Sequence, residues 1–146
     1  MKHALAVMVC AALSFTASAV RGDGQEDRKT MDGTWLPVAA ELAGQKFPDA
    51  VLKSMKLIMS DGSYTVHVGD TIDKGTAQVD AAATPKSIDI AGTEGPNKGK
   101  TILAIYELSG DTLRVCYDLT GKQRPTEFKT AKDTQQFLVT YKRDKD

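Results

Sequence analysis

Cysteine, histidine and tryptophan are almost missing from this sequence, which has two cysteines and one tryptophan and two histidines in 146 residues. Cys10 falls in an N-terminal apolar stretch, so beyond it Cys116 stands alone and can form no internal disulfide. Beyond residue 20 the only histidine is His67, leaving a serine or cysteine nucleophile a single possible imidazole base. The same shortage removes the usual zinc-ligand sets, and the pattern calls for no metal. Net charge is +0 at pH 7 and the charges are scattered. With no basic stripe there is no nucleic-acid footprint, and with no acidic block there is no solvating tail. Long apolar runs are also lacking. The longest, Ala4 to Phe15, is shorter than the roughly 20 residues a membrane span needs, so no transmembrane anchor is expected.

That short run has another meaning. Lys2 precedes it and Ala17-Ser18-Ala19 follows it, the charged, apolar and small-residue succession of an export signal. Residues 1–19 therefore read as a signal peptide, and the protein as exported, periplasmic or extracellular. Lipid attachment at Cys10 is disfavoured, because Val9 stands where a small residue is wanted. Residues 20–30 are polar and glycine-containing and read as a flexible leader. Residues 31–146 are the length of one domain, able to bury roughly two-thirds of its unfolded surface.

Within that domain short apolar stretches alternate with turn chemistry. Strands are expected at 34–42, 56–60, 64–68, 75–80, 86–91, 101–108, 112–118 and 135–142. Asp61-Gly62 and Ser109-Gly110-Asp111 mark two hairpins, and Tyr64, Val66 and Val68 alternate with Thr65 and His67. Only 48–55 looks helical, opening on Pro48 and Asp49. Eight sequential antiparallel strands with one short helix point to an all-β, up-and-down barrel, whose closure removes exposed edges. Nothing in the pattern asks for a partner chain, and a monomeric or weakly associating protein is expected.

Candidate chemistry is sparse. Gly95 to Thr101 imitates a phosphate-binding loop, but Glu94 replaces its first glycine and a strand follows instead of a helix, so it reads as a polar turn. Aspartates 61, 70, 73 and 80 lack calcium-loop spacing and read as turn formers. Glu107 and Glu127 form a carboxylate pair only if they face one cleft. In CYDLTGKQRPTEF, residues 116–128, Pro125 biases Arg124 toward an extended backbone, and Glu127 is near enough to be its ionic partner. Cys116, Arg124 and Glu127 thus make a possible polar site. The strand aromatics Trp35, Tyr64, Tyr106, Tyr117 and Tyr141 either fill the barrel or line a pocket.

Gly33-Thr34-Trp35 opens the first strand and Lys142-Arg143 ends the last, an arrangement similar to that of lipocalins. There the first-strand tryptophan closes the barrel floor and a basic side chain from the far end packs over it, guanidinium on indole. Further landmarks fall in order: Pro48 with Leu52, Gly75-Thr76, Thr84-Pro85-Lys86 with Ile88-Asp89, the run 94–100, Ile105-Tyr106, the run 110–113, Cys116 and the run 124–128. Together they resemble a family of small exported lipocalin-like domains of planctomycete-type bacteria, over Met31 to about Arg143. The resemblance implies fold and export, and brings neither catalytic residues nor a cofactor.

The leading expectation is binding of a small, partly apolar molecule lined by Trp35, Tyr64, Tyr106, Tyr117 and Tyr141, with Arg124 nearby. Catalysis is not expected to be the main role. The alternatives are an esterase- or lactonase-type hydrolase built on Cys116, Arg124 and Glu127, and an interaction domain with a packed core.

Overall fold

The computed structural model describes residues 20–145. The expected signal peptide, 1–19, lies outside the described residues. After helix α1 (Val20–Met31) come β1 (Gly33–Leu42), a two-residue β2 (Gln45–Lys46) and helix α2 (Asp49–Leu52). Seven further strands follow: β3 (Met55–Ser60), β4 (Ser63–Val68), β5 (Thr71–Asp80), β6 (Ser87–Glu94), β7 (Thr101–Ser109), β8 (Thr112–Asp118) and β9 (Gln136–Arg143).

From β3 to β9 each strand pairs antiparallel with the next in sequence. β1 pairs with β3 through residues 33–35 and with β9 through residues 35–42, which closes an eight-stranded barrel with β2 as an extra strand. The alternation that announced the strands decides their faces. In β3, Met55, Leu57 and Met59 are buried while Lys56 and Ser60 are exposed. Pro37 and a register shift before Ala39 interrupt β1, and between Trp35 and Glu41, where β2 takes over, its β3 side has no ladder partner. α2 packs beside that gap and buries Leu52 there.

From β3 onward, successive turns fall at alternate ends of the barrel. The β3–β4, β5–β6 and β7–β8 turns share the end where β1 begins, and this end is sealed. Trp35 is fully buried and donates its indole N–H to the Met31 carbonyl at 2.8 Å. The Arg143 guanidinium lies 4.3 Å above the indole ring. It also donates to the carbonyls of Asp32 and Thr30 and pairs with Asp111. This is the basic-on-indole floor that the resemblance to lipocalins implied.

The segment 20–30 departs from the expected flexible leader. It is helical, and its polar groups bond to the barrel. Asp27 accepts a hydrogen bond from the Tyr106 hydroxyl at 2.6 Å and pairs with Lys86 at 2.9 Å. Arg28 pairs with Asp61 at 2.7 Å, and Met31 is buried to 1 % exposure. Charges aimed at specific partners hold it, and composition, which suggested a flexible leader, does not show such partners. α2 is also shorter than the 48–55 expected, because Met55 is already in β3.

Candidate functional site

The barrel is not filled. Between the floor and the opposite loops lies a cavity of about 500 Å³, within the range of small-molecule sites. Its deep wall is apolar, with Met31, Met59, Leu57, Val115 and Leu113. At the loop end it is bounded by Val68, Thr71, Pro96, Lys100 and Gln135, of which all five are exposed to solvent. Phe137 joins the two regions, packed against Phe47 at 5.5 Å and against Tyr117 at 5.7 Å between ring centroids.

Two polar features interrupt the apolar wall. Tyr117 and Tyr141 face each other hydroxyl to hydroxyl at 3.0 Å. Burial raises both phenols, Tyr141 to about 12, so both remain neutral donors and acceptors at physiological pH. The second feature is Asp73, only 8 % exposed on the inward face of β5. Its carboxylate accepts from the Tyr64 hydroxyl at 3.0 Å, from the Asn97 backbone N–H at 3.0 Å and from the Asn97 side-chain amide at 2.9 Å. Burial, and then the hydrogen bond to Asp73, push the Tyr64 hydroxyl far above its ordinary range and fix it as the donor.

Two glycines allow this cluster. Tyr64 stands opposite Gly75 in the β4–β5 ladder, and its ring lies where a Cβ would be, with Cε1 only 2.7 Å from that position. Gly95 has φ +88° and lies so close to β5 that a Cβ would sit 2.4 Å from the Ile72 carbonyl oxygen. Both carry the constraint of backbone approach. The run 94–100 is the polar turn the sequence suggested, and its work is to lay Asn97 on Asp73.

Three of the expected binding residues, Tyr64, Tyr117 and Tyr141, line the cavity. Trp35 is part of the sealed floor, and Tyr106 points its hydroxyl at Asp27 instead of into the cavity. Arg124 lies on the outer side of the barrel, donating to the carbonyls of Ala104 and Ile88 and pairing with Asp89. It borders a polar surface groove with Gln25, Arg28, Gln78 and Asp89.

The arginine–glutamate pair expected at 124 and 127 does not form, since Glu127 pairs with Lys129 at 2.6 Å. Glu107 pairs with Arg114. Cys116 is fully buried on the outer face of β8, flanked in the ladders by Ile105 and Leu138 and covered by the 119–135 connection. Its thiol contacts the Lys129 carbonyl at 3.4 Å, and burial pushes its pKa up, away from a reactive thiolate. Cys116, Arg124 and Glu127 are thus engaged with three different partners and share no cleft.

Asp73 and Asn97 were missed. Asp73 read as a turn former because β5 was expected to begin at Gly75, whereas it begins at Thr71. The signal was present in TIDKGTAQV: Asp73 shares its period-2 register with Gly75, Ala77 and Val79, opposite Lys74, Thr76 and Gln78. No family model, curated protein or solved structure matches this chain. Among the described residues no helix is long and apolar enough to cross a membrane.

Proposed function

We propose that this chain is an exported carrier or sensor that holds one small, partly apolar molecule inside its barrel. The observation that carries the reading is the 500 Å³ apolar cavity with neutral tyrosine hydroxyls and a buried carboxylate in its wall. Apolar walls supply affinity and a few placed polar groups supply orientation, the usual division of labour in such sites. The signal-like residues 1–19 support export, and the lipocalin-like floor of Trp35 and Arg143 supports kinship in architecture.

Native mass spectrometry of protein purified from its own host, or soaked in a metabolite and fatty-acid-derivative mixture, tests this. A bound mass that is released on unfolding is expected. A protein that retains nothing from either source, at concentrations up to the solubility of the mixture, would overturn the reading.

A further inference from the structure

Among the described residues Asp73 is the only carboxylate in the cavity wall, and none of them is an ion-pair partner for it. Its three donors, Tyr64 and the two Asn97 groups, are neutral: they orient the carboxylate without cancelling its charge. A carboxylate offers about four acceptor positions, so one remains, on Oδ1, which accepts only the Asn97 backbone N–H. A charge buried beside apolar surface is costly until a cation meets it. Lys74 lies on the outward face of β5, and Lys100, at the exposed loop end of the cavity, forms no ion pair with Asp73. The geometry is set before any ligand arrives, since Gly75 and Gly95 admit the close approaches that hold Tyr64 and Asn97 in place.

Resting on the reading that the cavity binds a small molecule, we propose that this molecule is an apolar-bodied amine whose protonated nitrogen seats on Asp73. The ammonium N–H groups take the remaining acceptor position and supply the missing positive charge. The apolar body extends along Val66, Val115 and Phe137 toward the floor. A carboxylate-headed ligand would bring a second negative charge beside Asp73 in a low-dielectric setting.

The test uses four probes with the same ten-carbon chain, kept below their micelle concentrations at pH 7: decylamine, decyltrimethylammonium, decanol and decanoate. Affinities are read by calorimetry or competitive native mass spectrometry on the wild-type chain. Decylamine is expected to bind at least about tenfold more tightly than decanol, the size of one charge-assisted hydrogen bond. Decyltrimethylammonium, a cation with no N–H, should fall between them. Asp73→Asn should remove the amine preference, bringing the decylamine and decanol affinities to within about twofold of each other, with folding checked by circular dichroism. Lys100→Gln should leave amine binding equal or stronger, and it remains informative if Asp73→Asn does not fold.

Equal affinity for amine and alcohol, tightest binding of decanoate, or weaker amine binding in Lys100→Gln would each overturn the inference while leaving the cavity-binding reading intact. If no probe binds the wild-type chain and no molecule co-purifies with it, the cavity reading fails and this inference fails with it.

Discussion

Arg143 ties three parts of the chain together at the closed end. Its guanidinium covers Trp35, bonds to the carbonyls of Thr30 and Asp32, and pairs with Asp111 in the β7–β8 turn. Arg143→Ala removes a cation–π contact and charge-assisted hydrogen bonds, for an expected cost of about 3 kcal/mol. Arg143→Lys should recover less than half of it, because an ammonium neither stacks on indole nor forks between carbonyls. Urea unfolding followed by Trp35 fluorescence measures both. Asp118 works at the other end. Burial pushes its carboxyl up, but hydrogen bonds from the Thr120 hydroxyl and from the backbone N–H groups of Gln123, Thr120 and Lys122 outweigh this and lower it below 3.8. A carboxyl lowered by folding stabilises the native state above its unfolded value, and that contribution is lost as pH falls through the folded value. Asp118→Asn should therefore cost stability at pH 7 and flatten the loss of stability below pH 3.8, read from urea midpoints against pH.

Strand positions were largely legible because one face of each strand is buried and the other wet, so the period-2 pattern survives in the sequence. The elements that read poorly are those held by particular partners. α1 has no broad apolar stripe; Asp27, Arg28 and Met31 hold it through Tyr106, Lys86, Asp61 and the floor. The N-terminal end of β5 was missed because an aspartate on an inward face resembles a turn residue until its donors are seen. The β6–β7 loop is the clearest case. Gly95→Ala would strain a φ of +88° and drive a Cβ against the Ile72 carbonyl. The loop is expected to lift from β5, at a cost of about 1–3 kcal/mol. Hydrogen exchange checks it: the Asn97 amide, bonded to Asp73, should lose protection while the amides of β8 keep theirs.

At the scale of the molecule, closing an antiparallel sheet leaves little free edge, here a short stretch of β1 after Trp35 and the facing start of β3, and an interior whose size follows from its strand number. This chain closes one end with Trp35, Arg143 and α1 and leaves side chains at the other end short of filling the space. A packed-core interaction domain would have spent that volume on larger residues. Val66, half-buried in the cavity wall, offers a direct test of the trade. Val66→Phe should raise stability by about 1 kcal/mol, as cavity-filling changes commonly do, and reduce capture of any interior ligand at least tenfold. Thermal unfolding and native mass spectrometry on the same preparation measure the two effects.

The sequence by itself determined the strand rhythm and the hairpins, because these depend on local alternation and turn chemistry, while the packing of a terminal basic residue on Trp35 was implied only by the lipocalin resemblance. The sequence also carried the five aromatic positions from which a pocket was argued. Only the tertiary structure decided which of them face the cavity, that Arg124 prefers Asp89 to Glu127, that Cys116 is sealed under a loop, and that Asp73 turns inward. Those outcomes depend on barrel closure and register, which bring together residues far apart in the chain, and no local pattern encodes which of several possible partners a charged side chain will meet.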